Sequence, residues 1–582
     1  MLHYNWKYRA NTNESTVNDL ASSLKMSKTL ANVLISRGVS TEEDVRKFFE
    51  PSTEDIHDPY LLNDMEIAVD RILDAIRNNE LIWIHGDYDV DGTTSTAMML
   101  QFLRSIGARV DYHIPDRFQE GYGLTLTNVD IAHKKGVALI LTVDVGITSV
   151  EALEYANNLG MESIICDHHE PAEILPPSLA ILDPFVPGSR YPFKYLAACG
   201  VAFKLVQALA IRLGIEKRAF SYLDLVAIAS AADMVPMIGE NRVLVKIGLE
   251  MLNENPRAGI KGLLHCTNLK IGHITTSGIV YSLAPLINAA GRLGDACRSV
   301  ELMAQEDEIF AFQMAQQLEQ ENRRRRLFDE ETFSQTLPLA EKWLEGGNRK
   351  CIVLHGQNWH AGVIGIVASR LVDRYHLPTV LLTTMYNMAK GSARSIMNFD
   401  IHSALKRTSY LLYEYGGHKH AAGLSLIQEN VPEFSERFDE IAHEHISDAM
   451  LLPELTVDSE LNLSELNPAF MQQLLKFAPF GFDNYKPIFI ANNITSKNGL
   501  KIVGNNHLKF RALQQHPDFP DNPNMRFEID AIAHNLADKI DLCTYGKKFS
   551  ILFNLEEYNY NGHTSIQLRI RDIRKDEMLN EG

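Results

Sequence analysis

Cysteine is scarce and scattered in this 582-residue chain: Cys166, Cys199, Cys266, Cys297, Cys351 and Cys543 include no CxxC pair. That argues against a disulfide framework and against a thiolate-bound structural zinc. No apolar stretch of about eighteen residues occurs, and no apolar run follows MLHYNWKYRA, so neither membrane spanning nor secretion is expected and the cytoplasm is the expected compartment. Basic residues are outnumbered, 56 Lys plus Arg against 74 Asp plus Glu, for a formal charge of −18. This is the wrong sign for a protein that coats a polyanion over a broad face, and any such contact must be local. No Walker A sequence occurs and no GxGxxG follows a strand, so a nucleotide cofactor is not expected. Internal repeats and low-complexity tracts are absent as well.

What is present is acid at the ends of apolar runs. LIWIHGDYDVDG (81–92) and, further on, IICDHHEP (164–171) are apolar segments that stop abruptly in aspartates or histidines. In an α/β sheet the carboxyl ends of the strands face the ligand crevice, which places Asp87, Asp89, Asp91, Asp167, His168 and His169 at one mouth. Carboxylates so close together are tolerable only if a cation neutralises them. Carboxylates with one or two imidazoles suit Mn²⁺ or Mg²⁺ better than zinc. A calcium loop is excluded by context, because the twelfth position counted from Asp87 is Met98 rather than glutamate. VALILTVDVGIT (137–148) reads as a second strand ending in Asp144, and YLDLVAIASAADMVPM (222–237) as a third delivering Asp233. Each aspartate alone would pass for a helix cap; four such segments together describe a site able to hold two ions for phosphoryl transfer.

These segments, GDYDVDG (86–92), VDVGIT (143–148), DHH (167–169) and ADMVP (232–236), resemble in order and approximate spacing the four metal-site motifs of the DHH phosphoesterase superfamily. RGVSTEEDVRKFFEP (37–51), IPDRFQEGYG (114–123), INAAGRLG (287–294), KGSARS (390–395), GGHKHAAG (416–423) and PFGFDNYKPIF (479–489) extend the resemblance to the RecJ family of bacterial single-strand exonucleases, over roughly residues 35–575. SAAD (230–233) and LAACG (196–200) depart slightly from the family pattern without removing a ligand. The resemblance implies Asp87, Asp89, Asp91, Asp144, His168 and Asp233 as ligands of two divalent ions, Mn²⁺ or Mg²⁺, with Asp144 as the bridge. His169 would face the scissile phosphate and Asp167 would orient the histidines, making His169, Asp144 and Asp167 the catalytic group. His85, at a position where related phosphatases use a ligand, is left open. Arg117, Asn288, Arg292, Ser392 and Arg394 would grip the strand end and its phosphates, with His418 as a further contact.

The expected architecture is two α/β domains, DHH and DHHA1, joined by a long helix, with a C-terminal OB-fold-like β module. Its boundaries are a helical preface (1–75), a DHH domain (76–300) alternating β and α, a connecting helix (301–346), a DHHA1 domain (347–452) and the β module (453–582). The length and the 45% apolar fraction agree with several folded domains. The NRRRRL run (322–327) is first of all a solvated helix face, and Phe510, Phe527 and Tyr558 are candidate base-stacking aromatics in the β module. The activity implied is 5′ to 3′ hydrolysis of single-stranded DNA for recombination and repair, by a monomer served by a single-strand-binding protein and a helicase. The rivals are an oligoribonucleotide or cyclic-dinucleotide phosphodiesterase, disfavoured by the extra β module, and a non-catalytic replication scaffold, disfavoured by the full ligand set.

Overall fold

The computed structural model describes residues 4–9, 12–116, 120–121, 123–385, 387–497, 499–504, 506–519, 522, 525–544, 546–560 and 563–576. Two compact units result: a larger one of Ser52–Leu451 with Gly481–Asp483, and a smaller one of Met1–Pro51, Leu452–Phe480 and Asn484–Gly582. No helix of the described residues is long and apolar enough to cross a membrane.

The larger unit begins with five parallel strands, β1 (Leu81–Gly86), β2 (Arg109–His113), β3 (Val137–Val143), β4 (Glu162–Cys166) and β5 (Ala180–Leu182), in spatial order β2-β1-β3-β4-β5. Both faces are covered, which is why the strands read as nearly continuous apolar runs. Alternate side chains still separate. Ile82, Ile84, Leu139, Leu141 and Ile164 enter one core with α1 (Val90–Ser105) and α2 (Ala198–Leu213), while Trp83, Ile140 and Ile165 enter another with the helices Leu126–Lys134 and Val150–Asn158. The chain leaves β1 for β2 on one side and then crosses back to β3 on the other. The crevice outside the carboxyl ends of β1 and β3 is therefore the switch point at which open α/β sheets bind ligands.

One element expected as a strand is a helix. The segment that delivers Asp233 forms α3 (Leu223–Ala232), with Asp233 directly after its last turn. A short apolar run does not distinguish buried strand from buried helix by its period; here Ala227, Ala229, Ala231 and Ala232 favour helix, and α3 is buried against α1, α2 and the helix Gly239–Glu254. The β/α alternation also ends earlier than expected, at β5. From Ala198 onward the unit is helical, through α4 (Ala284–Leu293) to the 36-residue α5 (Glu308–Trp343). A second sheet follows, built from β6 (Ile352–Gly356), β7 (Thr379–Met385), β8 (Met388–Arg394), β9 (Glu414–Gly417) and β10 (Ala421–Ile427) in the order β9-β10-β8-β7-β6, with α6 (Ile364–Tyr375) between β6 and β7.

In the smaller unit the strands Phe489–Ser496, Phe549–Tyr560, His563–Lys575, Arg526–Ala533 and His507–Gln515 pair in succession, and the last returns to the first, closing a barrel. Phe510 lies inside it, edge-on to Phe549 at 5.9 Å, and so offers no ring to a base. Residues 1–51 belong to this unit rather than to a preface running on to residue 75. Asn5–Tyr8 pairs in parallel with Glu454–Val457, and Leu30, Leu34 and Phe49 share a core with Phe477, Phe489 and Phe549. The helix Met65–Arg77 packs instead on α2 and β5 in the larger unit.

Candidate metal centre and its surroundings

The loop after β1 folds back on itself because Gly92 permits it: a Cβ there would lie 2.4 Å from the Asp87 carbonyl oxygen, so no other residue fits without displacing the loop. Asp89 caps α1, its Oδ1 accepting from the amides of Asp91 (2.8 Å) and Gly92 (3.1 Å). Asp91, two residues on, does the same for a different helix. The amides of Ala198 and Cys199, which open α2 with no cap of its own, donate to Asp91 Oδ2 and Oδ1 at 2.8 Å each. Asp144 leaves β3 with φ 65°, the left-handed conformation that aspartate tolerates better than most residues. Its amide donates to the Cys166 carbonyl at 3.0 Å, anchoring it to the end of β4.

His168 receives these carboxylates. Its Nδ1 lies 3.2 Å from the Leu196 carbonyl, which fixes that nitrogen as the donor and leaves the Nε2 lone pair facing Asp144 (3.3 Å), Asp91 (3.9 Å) and Asp233 (3.9 Å). Among the described residues three sets of ligand atoms lie within 4.8 Å of one another: Asp87 with Asp89 and Asp144, Asp144 with His168 and His169, and Asp91 with His168 and Asp233. Burial and then the neighbouring carboxylates push Asp91 up to about 7 and hold Asp144 and Asp233 well above the ordinary carboxylate range. Burial, followed by the charge on His169, lowers His168 to about 4, so its imidazole is neutral. Oxygen-rich, short of cations and completed by one neutral imidazole, the donor set fits a hard or borderline divalent ion such as Mg²⁺ or Mn²⁺.

Asp167 stands behind the histidines. Its Oδ1 takes the amides of His168 (2.8 Å) and His169 (3.3 Å) and pairs with His169 Nδ1 at 2.7 Å, while Oδ2 takes the Ile147 amide at 3.0 Å. Against the pull of burial, the bond to Asp167 holds His169 up at about 9. Its imidazolium lies parallel to the ring of His418, 5.7 Å away, which brings the loop after β9 to the metal site. His418 is itself lowered by burial and by the charge on His169.

Among the proposed strand contacts, Asn288 and Arg292 lie one turn apart on α4, which packs on the metal loop so closely that a Cβ at Gly291 would meet the Tyr88 carbonyl at 2.6 Å. Ser392 and Arg394 end β8, joined by a 3.0 Å bond from Arg394 Nη1 to Ser392 Oγ, and both abut the first turn of α6 at Gly365. Arg117 lies outside the described residues. His85 falls in none of the three ligand sets: it points to the face of Trp83, with Nε2 3.2 Å from the Gly123 carbonyl and its ring stacked on His113 at 5.6 Å. Two contributors escape the motif reading. The Leu196 carbonyl carries no sequence signal. Asp183, buried at the end of β5 beside Asp167 and raised to about 8 by burial, carries the same strand-end signal that marks Asp144.

Three family models match the chain: the DHH family N-terminal domain over residues 81–230, the DHHA1 domain over 348–444 and the RecJ OB domain over 457–572. The single-stranded-DNA-specific exonuclease RecJ of Bacillus subtilis strain 168 is 35% identical over 97% of this chain and 70% of its own length; that of Escherichia coli K12 is 32% identical over 94% and 95%. The crystal structure of Thermus thermophilus RecJ with Mn²⁺ superposes with a TM-score of 0.83 at 27% identity, covering 98% of this chain and 80% of that one. Its Mg²⁺ form superposes with a TM-score of 0.78 at 26% identity, covering 98% and 79%.

Proposed function

The chain belongs to the RecJ family of single-stranded-DNA-specific exonucleases, and from that premise we propose how its residues share the work of hydrolysis. It is an exonuclease with a divalent metal cofactor. The observation that carries the assignment is the double membership of Asp144, which belongs both to the all-aspartate set and to a set with His168 and His169, His168 in turn being shared with Asp91 and Asp233. Asp144 would be shared between two ions, with Asp87 and Asp89 holding one and Asp91, His168 and Asp233 the other. When bound, such ions supply Lewis acidity to the phosphodiester and bring the pKa of water toward neutrality.

The protein supplies position and charge. Leu196 and Asp167 fix the two imidazoles, and the His169 imidazolium donates from Nε2 to a non-bridging phosphate oxygen, where charge grows as the bond breaks. The Ser392–Arg394 pair, backed by the amino end of α6, captures the terminal phosphate, while Asn288, Arg292 and Arg117 hold those that follow. Removal runs 5′ to 3′. The His169–His418 stack brings the second sheet within one ring of the metal site, and this supports entry by a single strand and exclusion of duplex. The barrel adds grip on longer strands. The enzyme acts as a monomer in the cytoplasm, on strands exposed by a helicase and a single-strand-binding protein.

The test is digestion of 5′- and 3′-end-labelled single strands with Mn²⁺ or Mg²⁺, with Asp144→Asn alongside. Asparagine tolerates the left-handed backbone at 144, so the variant should fold, lose metal binding at both positions and turn over at least about a hundredfold more slowly. Near-normal hydrolysis by folded Asp144→Asn would remove the bridge, and loss of the 3′ label first would reverse the polarity.

A further inference from the structure

The turn before α6 has an outer side to which the metal centre and phosphate grips assign nothing. Its inner side is bounded by those grips: Arg292 Nη1 donates to the Gly362 carbonyl at 3.3 Å, and Ser392 and Arg394 abut Gly365. On the outer side, where the turn meets α5, lies a cavity of about 540 Å³ lined by Phe328, Glu331, Gln335, Asn358, Trp359 and His360, among others. That volume is in the range of small-molecule sites. The rings of His360 and Phe328 stack nearly parallel, 16° apart with centroids at 5.2 Å, and the Arg324 guanidinium covers Phe328 at 5.6 Å. Trp359 is buried, its indole fixed by a 2.9 Å bond from Nε1 to Gln335 Oε1.

A phosphate does not suit this cavity, because its lining holds the carboxylate of Glu331 and no lysine or arginine. A flat heteroaromatic ring does: aromatic surfaces meet its faces and edges, and the amides of Asn358 and Gln335 and the Glu331 carboxylate accept from its N–H groups. We propose that the cavity is a nucleobase subsite, in which one base of the bound strand lies against the Phe328–His360 pair while Arg292 holds a neighbouring phosphate. This rests on the exonuclease reading and deepens it. A base held by ring contact also eases the charge problem, since a protein of net charge −18 gains affinity here chiefly from stacking, with the Arg324 guanidinium beside Phe328. Stacking tolerates every base, because each presents a π-face.

The test uses the full-length enzyme with Mn²⁺ and 5′-phosphorylated oligonucleotides in which one abasic site is walked along the strand. The unmodified enzyme should show a rise in KM of about tenfold at one position, the scale of one base stacked on an aromatic ring. Phe328→Leu keeps the apolar volume and loses the ring. It should raise KM about tenfold on the intact strand and erase the abasic effect at that position, equally at low and high salt, and Phe328→Tyr should restore both. A metal-induced rise in melting temperature establishes that each variant is folded. An abasic profile identical in Phe328→Leu and the unmodified enzyme overturns the subsite, as does a loss that depends steeply on salt, which would mark a phosphate contact through Arg324. Failure of the unmodified enzyme to shorten any strand would instead overturn the exonuclease reading.

Discussion

Asp91 is where protons and metal compete. Its two oxygens already cap α2, yet burial and Asp89 hold its carboxyl at about 7, far above the ordinary value of about 3.9. The unfolded chain releases this proton near pH 4 and the folded, metal-free protein only near pH 7. This group therefore makes metal-free stability fall as pH rises through that window, because the unfolded state binds fewer protons there. An ion replaces the proton and cancels the loss. The rise in melting temperature caused by Mn²⁺ should accordingly grow between about pH 5 and about pH 7.5, and a rise that is flat across that range would remove Asp91 from the ligand set. The strand-end aspartates were legible in the sequence because an abrupt switch from apolar strand to acid has few structural uses. The division of labour between His168 and His169 came only with the family resemblance and not from the residues themselves, since it depends on which nitrogen meets a carbonyl and which meets Asp167.

At the scale of elements, the loop that follows α3 is held from a distance. The Met237 amide donates to the Phe482 carbonyl at 2.7 Å, and a Cβ at Gly481 would lie 3.2 Å from Met237 Cβ and Cε. Gly481–Asp483 thus buttresses the loop carrying Asp233, although it arrives more than two hundred residues later. Gly481→Val should push Met237 and its loop out of place and raise the Mn²⁺ concentration needed for half-maximal hydrolysis by roughly tenfold, the usual scale for groups that orient a ligand. Excess Mn²⁺ should restore the rate; an unchanged Mn²⁺ titration would show the buttress to be idle. The same region marks the limit of reading by pattern. The first sheet was legible from apolar runs that stop at acids, the long α5 from its helical pattern and the last module as short β runs whose closure into a barrel came only with the resemblance, whereas α3 was taken for a strand because nine of its ten residues are buried and leave no polar face to reveal their period.

For the whole molecule, the division into units does not follow chain order. Leu34 is fully buried in a core shared with the barrel, so Leu34→Ala should cost that unit about 2–5 kcal/mol. Calorimetry should show one transition moved down and a metal-sensitive transition left in place; a single transition moving as one would mean that the two units unfold together. Contiguous segmentation missed this arrangement because helical patterns near the amino terminus say nothing about which distant strands will cover them. The pairing of Asn5–Tyr8 with Glu454–Val457 also imposes a timetable on synthesis. The first three helices leave the ribosome about 400 residues ahead of the barrel that completes their core, and at roughly 5–20 residues per second their apolar faces wait on the order of 20–80 s for it. Over that interval the nascent chain exposes Leu30, Leu34 and Phe49 with no partner yet made, and the yield of folded enzyme should respond to translation speed and to the chaperones that shield such faces.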